Sequence, residues 1–372
     1  MTKAEQDRVM DSGAAPVADG GQGWVRAARE MVDDLQQRAP LIYWTDFLLS
    51  VAAAWLLAAI WFAMPGRSAA GFLALLGSSI LFFRAGTFIH EIIHFRDGEM
   101  RWFPRAWNLF MGIPLLMPWI MYRNHIEHHN VRYFGTPEDG EYLPLAAAPA
   151  REIIIYLVQA PLLPVLMVLR FGVAGPVSWL HRGLREYVLT AASAGVSNPY
   201  YRRRFPAADE AHLRIVEVLC LIWLLVLAAF LVRGSMSLML LFKAYLLLGL
   251  TLGLNLVRNL GAHGYGNRGE RMSHAEQFAD SINVTGQTWL TVFLFPVGLR
   301  YHALHHLFPA LPYHNLGKAH ARLCAQLPAD SPYHAGNRRS YFASVAALWR
   351  SARHTPPADS AVSIWRMRNA GA

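Results

Sequence analysis

Cysteine and charge are both scarce in this chain of 372 residues, and each scarcity closes off a class of protein. Two cysteines, Cys220 and Cys324, stand far apart in unrelated contexts, which excludes a disulfide framework and a thiolate zinc finger. Charged residues make up 16% of the chain, against about 25% in soluble domains, while 54% is hydrophobic. Such a chain has too much apolar material to be disordered and points to a membrane. Acidic residues are fewer than basic ones, 25 against 34, giving a formal charge of +9. No basic run interleaved with aromatics accompanies that charge, so it does not read as a nucleic-acid surface. Also missing are an HPGG-type haem segment, a cysteine cluster for iron–sulfur, and a dinucleotide fingerprint. The stretch Gly261-Ala262-His263-Gly264-Tyr265-Gly266 carries its glycines at the wrong offsets for the last of these. Histidine, by contrast, is abundant, with 16 residues.

A helix needs about 20 apolar residues to cross the hydrocarbon core. Four runs qualify: Phe47 to Met64, Ala69 to Ile89, Ile215 to Val232 and Met236 to Val257. Only Pro65 to Ser68 separates the first two and only Arg233 to Ser235 the last two, so each pair reads as a helical hairpin. Three further apolar stretches are broken by proline or short: Leu109 to Tyr122, Ile153 to Phe171 and Gln287 to Leu299. Such segments lie in the interface or re-enter. The expected fold is therefore all-α and membrane-integral, with four spans in two hairpins, interfacial helices and a histidine-rich cap. Its parts are a polar arm over 1–43 ending in a short amphipathic helix, a membrane domain over 44–323 and a tail over 324–372. The arm has no apolar run, so no cleaved signal peptide is expected. Of the 34 basic residues only Arg67, Arg84, Arg233 and Lys243 fall in the two turns or inside the spans, leaving 30 on the other face. By the positive-inside tendency that face is cytoplasmic, which in a bacterial chain means the cytoplasmic side of the inner, or cell, membrane. Arg84, inside the second span, is expected to snorkel to the interface or to meet a substrate carboxyl group.

Nine histidines fall into four groups. His90 and His94 end the second span, His125, His128 and His129 follow the stretch that ends at Tyr122, and His302, His305 and His306 follow the short one. His263 comes four residues after Asn259. Spacings of three and four put imidazoles on one helix face, which is what a metal site needs. An even number of spans separates every pair of groups, so all four share one face. His90-Glu91-Ile92-Ile93-His94 is also a zinc-protease HExxH motif. Such a protease would need these two histidines and one further ligand, leaving the others without a role. Two metals with four or five nitrogens each match the count better, and imidazole suits iron, zinc and copper alike. His274, His314 and His320 read as surface residues.

The order HxxxH, HxxHH, HxxHH, with hydrophobic hairpins between, resembles the membrane fatty acid desaturase superfamily over roughly Trp44 to Leu323. The turn Gly135-Thr136-Pro137-Glu138-Asp139 and the run from Tyr301 to Pro309 are similar too. The resemblance implies a non-haem di-iron centre held by His90, His94, His125, His128, His129, His263, His302, His305 and His306. It implies Asn259 reaching the metal through a water, with O2 as co-substrate. Glu91, Glu127, Asp139 and Asp280 are candidates to orient the ligands by accepting their second N–H. The expected reaction is the introduction of a double bond into a fatty acyl chain of a lipid. Alternatives are a hydroxylase or ketolase of a lipid, alkane or carotenoid, the zinc metalloprotease, and a metal-binding or transport protein without catalysis. Electrons must come from an external ferredoxin or cytochrome b5 type donor, and a basic face suits docking of an acidic carrier.

Overall fold

The computed structural model describes residues 22–195 and 197–370; the first 21 residues of the polar arm lie outside the described residues. Among the described residues four helices are long and apolar enough to cross a membrane: α2 (Pro40–Ala63), α3 (Ala69–Ile93), α8 (Ala207–Val232) and α9 (Leu238–Asn259). Before them comes α1 (Gln22–Met31), the short helix of the arm. All four long helices are apolar on nearly every side, the pattern of a helix surrounded by lipid and other helices rather than water. Along α8, Ile215, Ile222, Leu225 and Phe230 all face outward. Helix starts are set by the intervening turns. Ser68 caps α3 by accepting from the Gly71 N–H at 3.0 Å, and Ser237 caps α9 by accepting from the Leu240 N–H at 3.2 Å. Each helix extends beyond its apolar run at the histidine end, so His90 lies within α3 and only polar turns remain outside.

α2 and α3 pack along their length, with the Ser78 hydroxyl donating to the Ala54 carbonyl at 2.9 Å and Trp55 meeting Phe82 edge-on. α9 closes on both. Lys243 reaches from α9 to the end of α2, donating to the carbonyls of Trp61 (3.1 Å), Phe62 (3.2 Å) and Met64 (2.5 Å). These are carbonyls that a helix end leaves without a partner, so a charge inside a span is accounted for by the backbone it caps. Arg84 differs from expectation. Its guanidinium neither snorkels nor waits for a substrate; it pairs with Asp46 of α2 at 2.5 Å, and the Tyr313 hydroxyl donates to the same carboxylate at 2.9 Å. Two charges within an apolar bundle are held most cheaply by each other.

The second sequential pair is joined by an equally tight turn, but α8 and α9 share few contacts. Residues 151–178 lie between them. This segment consists of α5 (Arg151–Val158) and α6 (Leu163–Leu169), the latter continued by a wider turn and a last helical turn to Ser178; its axis bends by 52° at the break. α6 packs on α9, and Phe171 packs on Cys220 of α8. Both ends return to the histidine side. The Tyr156 hydroxyl accepts from the Asn259 amide at 3.0 Å, and Arg170 pairs with Glu217 of α8 at 2.5 Å. Glu217 also binds Arg185 of α7 (Arg182–Ala191) at 2.8 Å, and Arg185 binds Glu210 near the start of α8 at 3.1 Å. The other broken stretches are short: α4 (Phe103–Trp107) leads into helical turns at 108–112 and 119–122 in one, and Thr288–Leu294 forms the other.

The flanks are built into the fold. Ala28 and Val32 of the arm are buried, and the Asn315 amide donates to the Leu35 carbonyl at 2.7 Å. At the other end Tyr341, Leu348, Val362 and Trp365 are buried; the Trp365 indole donates to the Arg268 carbonyl and the Tyr341 hydroxyl to the Val257 carbonyl.

Candidate metal centre

The nine histidines converge at one end of the bundle and divide into two groups. His90, His94, His125, His129 and His305 form one; His128, His263, His302 and His306 form the other. In each, one ring nitrogen per residue lies within 4.8 Å of all the others. The spacing of the motifs explains the division. In His125-Ile126-Glu127-His128-His129, positions 125 and 129 are one helical turn apart and serve the same group, while 128 points to the other. In the third motif 302 and 306 share a group while 305 crosses over. Two HxxHH motifs thus contribute to both groups, and the groups touch: the rings of His129 and His306 are 4.3 Å apart.

Second nitrogens are held from outside. Asp139 lies 2.8 Å from His128 Nδ1, and Asp280 lies 3.5 Å from His263 Nδ1 with the Ser281 hydroxyl at 3.2 Å. Glu141 lies 2.7 Å from His125 Nδ1 and accepts from the Tyr122 hydroxyl, also at 2.7 Å. A ring that donates through Nδ1 carries its lone pair on Nε2. Yet His128 Nε2 is 3.2 Å from His263 Nε2, His125 Nε2 is 2.9 Å from His129 Nε2, and His302 Nε2 is 2.9 Å from His263 Nε2. In the first of these pairs both rings are engaged at Nδ1, so two lone pairs face each other and repel unless a cation lies between them. Both ring nitrogens of His90, and His94 Nε2, are buried without any partner among the described residues. The donor set therefore fits one metal ion in each group. Burial drives the pKa of His125, His129, His302, His305 and His306 well below the ordinary histidine range, and lowers that of His263, which favours the neutral ligand form. His128 is the exception: burial opposes the charge, but the Asp139 carboxylate, together with Glu141 and Asp280, outweighs it and raises the pKa.

Asp139 is positioned by the turn flagged in the sequence. Gly135 sits at φ +69° and donates its N–H to Asp139 Oδ2 at 2.9 Å, while the Glu141 N–H donates to Oδ1 at 2.9 Å. A side chain at 135 would be strained at that φ and would strike the Asn267 amide, so glycine is required there.

Two of the four carboxylates singled out in the sequence are elsewhere. Glu91 accepts from the Tyr43 hydroxyl and, at 3.3 Å, from the Tyr313 N–H, on the far side of α3 from the histidines. These two contacts hold the Glu91 carboxylate toward Tyr43 of α2 and Tyr313, and it joins neither histidine group. It is not poised as the base of an HExxH protease, which removes the structural basis of that alternative. Glu127 accepts from the Tyr201 hydroxyl at 2.5 Å and meets no histidine among the described residues. Asn259 gives its amide nitrogen to Tyr156 and Ser197 and its oxygen to Arg258. His274, His314 and His320 lie outside both groups; His314 accepts from the Ala39 N–H and His320 bonds the Tyr333 hydroxyl. Sequence reasoning missed Glu141, Tyr122 and Arg258. Glu141, two residues beyond Asp139, and Tyr122, three before His125, were within reach of a proximity argument; Arg258 carried no signal beyond its place beside Asn259.

A bundle with four candidate spans, capped by two adjacent histidine groups, defines a membrane oxidoreductase class that works through paired metals. The family model described as fatty acid desaturase matches residues 67–337, and the chain belongs to that family, a di-iron, O2-using superfamily that acts on lipids in membranes. The chain is also 38% identical over 332 residues to a ceramide hydroxylase of Caulobacter vibrioides (strain NA1000 / CB15N), covering 88% of this chain and 93% of the relative. No solved structure matches.

Proposed function

We propose that this chain is an O2-dependent di-iron hydroxylase of a ceramide-type membrane lipid. The observation that carries the reading is the pair of adjacent histidine groups, five nitrogens in one and four in the other, in a chain similar over 88% of its length to a ceramide hydroxylase. His90, His94, His125, His129 and His305 would hold one iron and His128, His263, His302 and His306 the other, with Asn259 supporting the pair through a water. Iron bound there would supply the oxidising power that an unactivated C–H bond demands and that no side chain has. The chain's own residues do the rest. Asp139, Glu141 and Asp280 fix the tautomers of His128, His125 and His263, and burial keeps bulk water from the centre. The catalytic unit spans 44–323, and the arm and tail pack on it.

The histidine side is cytoplasmic in this reading, since of the 34 basic residues in the sequence only Arg67, Arg84, Arg233 and Lys243 fall in the spans or their two turns. The segment 151–178 re-enters from that face. An external ferredoxin or cytochrome b5 type carrier delivers electrons to it. Double-bond formation, which the family description favours, is the second reading; the two reactions share the first hydrogen abstraction. Mass spectrometry of lipids from a host expressing the protein, beside His128→Ala, tests both. A ceramide that gains one oxygen atom, and loses that gain in the variant, is the expected result. Loss of two hydrogens instead selects desaturation, and unchanged lipids under aerobic expression with bound iron overturn both readings.

A further inference from the structure

Among the described residues, one buried cation at the centre hydrogen-bonds no carboxylate. Arg258, in the last turn of α9, is 6% exposed, and its hydrogen bonds run only to neutral amide oxygens: Nε and Nη2 to Asn255 Oδ1 at 3.2 and 3.1 Å, and Nη2 to Asn259 Oδ1. Among the described residues no acceptor reaches its Nη1. A buried guanidinium left this way is costly unless another group completes its bonding. Arg258 lines the small cleft that touches rings of both histidine groups. Tyr122, Glu141, Asn259 and Tyr265 are the other polar members of its wall besides the histidines.

We infer that Arg258 is a substrate-recognition residue that donates to the amide carbonyl of an N-acyl lipid, and that the carbon hydroxylated lies within a few bonds of that amide. The inference rests on the hydroxylase reading above. A carbon oxidised in the middle of an acyl chain has methylenes on both sides, and methylenes pressed against a guanidinium and a carboxyl would strip them of solvation with no return. The cleft has about 10 Å³ of free space, room for one water, so a substrate whose polar group meets Arg258 at its mouth returns those bonds. The wall offers a donor, Arg258, beside an acceptor, Glu141, which suits an amide or hydroxyl that both accepts and donates. A free fatty acid would set its carboxylate against Glu141. In the balanced reaction the C–H bond becomes C–OH with one oxygen atom of O2. The other oxygen leaves as water, formed with two protons and two electrons from a one-electron carrier protein.

The test uses the iron-loaded full chain in detergent and compares wild type, R258Q and R258K. Binding of an N-acyl sphingoid lipid, the matching free fatty acid and a phosphatidylcholine is measured by native mass spectrometry, iron content by elemental analysis and the position of the new hydroxyl by tandem mass spectrometry. The N-acyl lipid should bind in preference to the other two, and R258Q should weaken it by about tenfold to a hundredfold with iron retained. R258K should recover part of the loss. The hydroxyl should lie within a few bonds of the amide. Unchanged N-acyl binding in R258Q with iron retained, or a hydroxyl remote from the amide, overturns the inference. If R258Q loses iron, R258K and the wild-type hydroxyl position decide it. A wild-type product with a double bond instead overturns the reaction named above, while the binding comparison still decides the role of Arg258.

Discussion

His128 and His129 are neighbours in the chain yet serve different groups, because one step along a helix turns a side chain by about 100°. Individual substitutions should therefore act on one group at a time. His128→Ala leaves the five-nitrogen group intact and should lower bound iron by roughly half, measured per chain on purified protein. Asp139→Asn and Glu141→Gln keep every ligand but loosen the rings they hold, and each should weaken metal affinity by about 10–100-fold in a competition titration. Glu91→Gln is the control: it lies as near a histidine in sequence, but it faces Tyr43, and iron affinity should be unchanged. Equal losses for Glu91→Gln and Asp139→Asn would contradict the geometry.

Polar groups inside the spans tie elements together. Glu217 holds both Arg170 and Arg185, and so fixes the bent segment and α7 to α8. Glu217→Gln leaves the buried Arg170 guanidinium without a counter-charge and Arg185 with Glu210 alone, and should cost about 3–5 kcal/mol, read as a lowered unfolding temperature in detergent. Lys243→Met should cost less, about 1–3 kcal/mol, because it frees carbonyls at the end of α2 without stranding a charge. Neither residue lines the histidine cleft, so iron per folded chain should stay constant in both. These ties were not legible from the sequence. A charge within an apolar run shows that a partner is needed but not which helix supplies it, and Arg84 was misplaced for that reason.

For the whole molecule, orientation is the property to test. Cys324 is exposed on the histidine side, while Cys220 is buried in α8. Arg67→Cys and Ser235→Cys place a thiol in each of the two opposite turns. A membrane-impermeant maleimide should label both in intact cells and reach Cys324 only after permeabilisation. The reverse pattern would put the histidines on the outer face.

The sequence by itself determined the four apolar helices, because crossing a hydrocarbon layer requires about 20 apolar residues in a row and leaves a local signature. It also determined the histidine motifs, because spacings of three and four are helix-face spacings whatever the surrounding fold. Tertiary structure alone decided what those pieces do to one another. It parted α8 from α9 by placing 151–178 between them, split nine histidines into five and four, and turned Glu91 away from the centre. It also brought Glu141 and Arg258 to the cleft from segments 117 residues apart. Contacts between segments that far apart depend on how helices pack, and no local pattern in the chain records that.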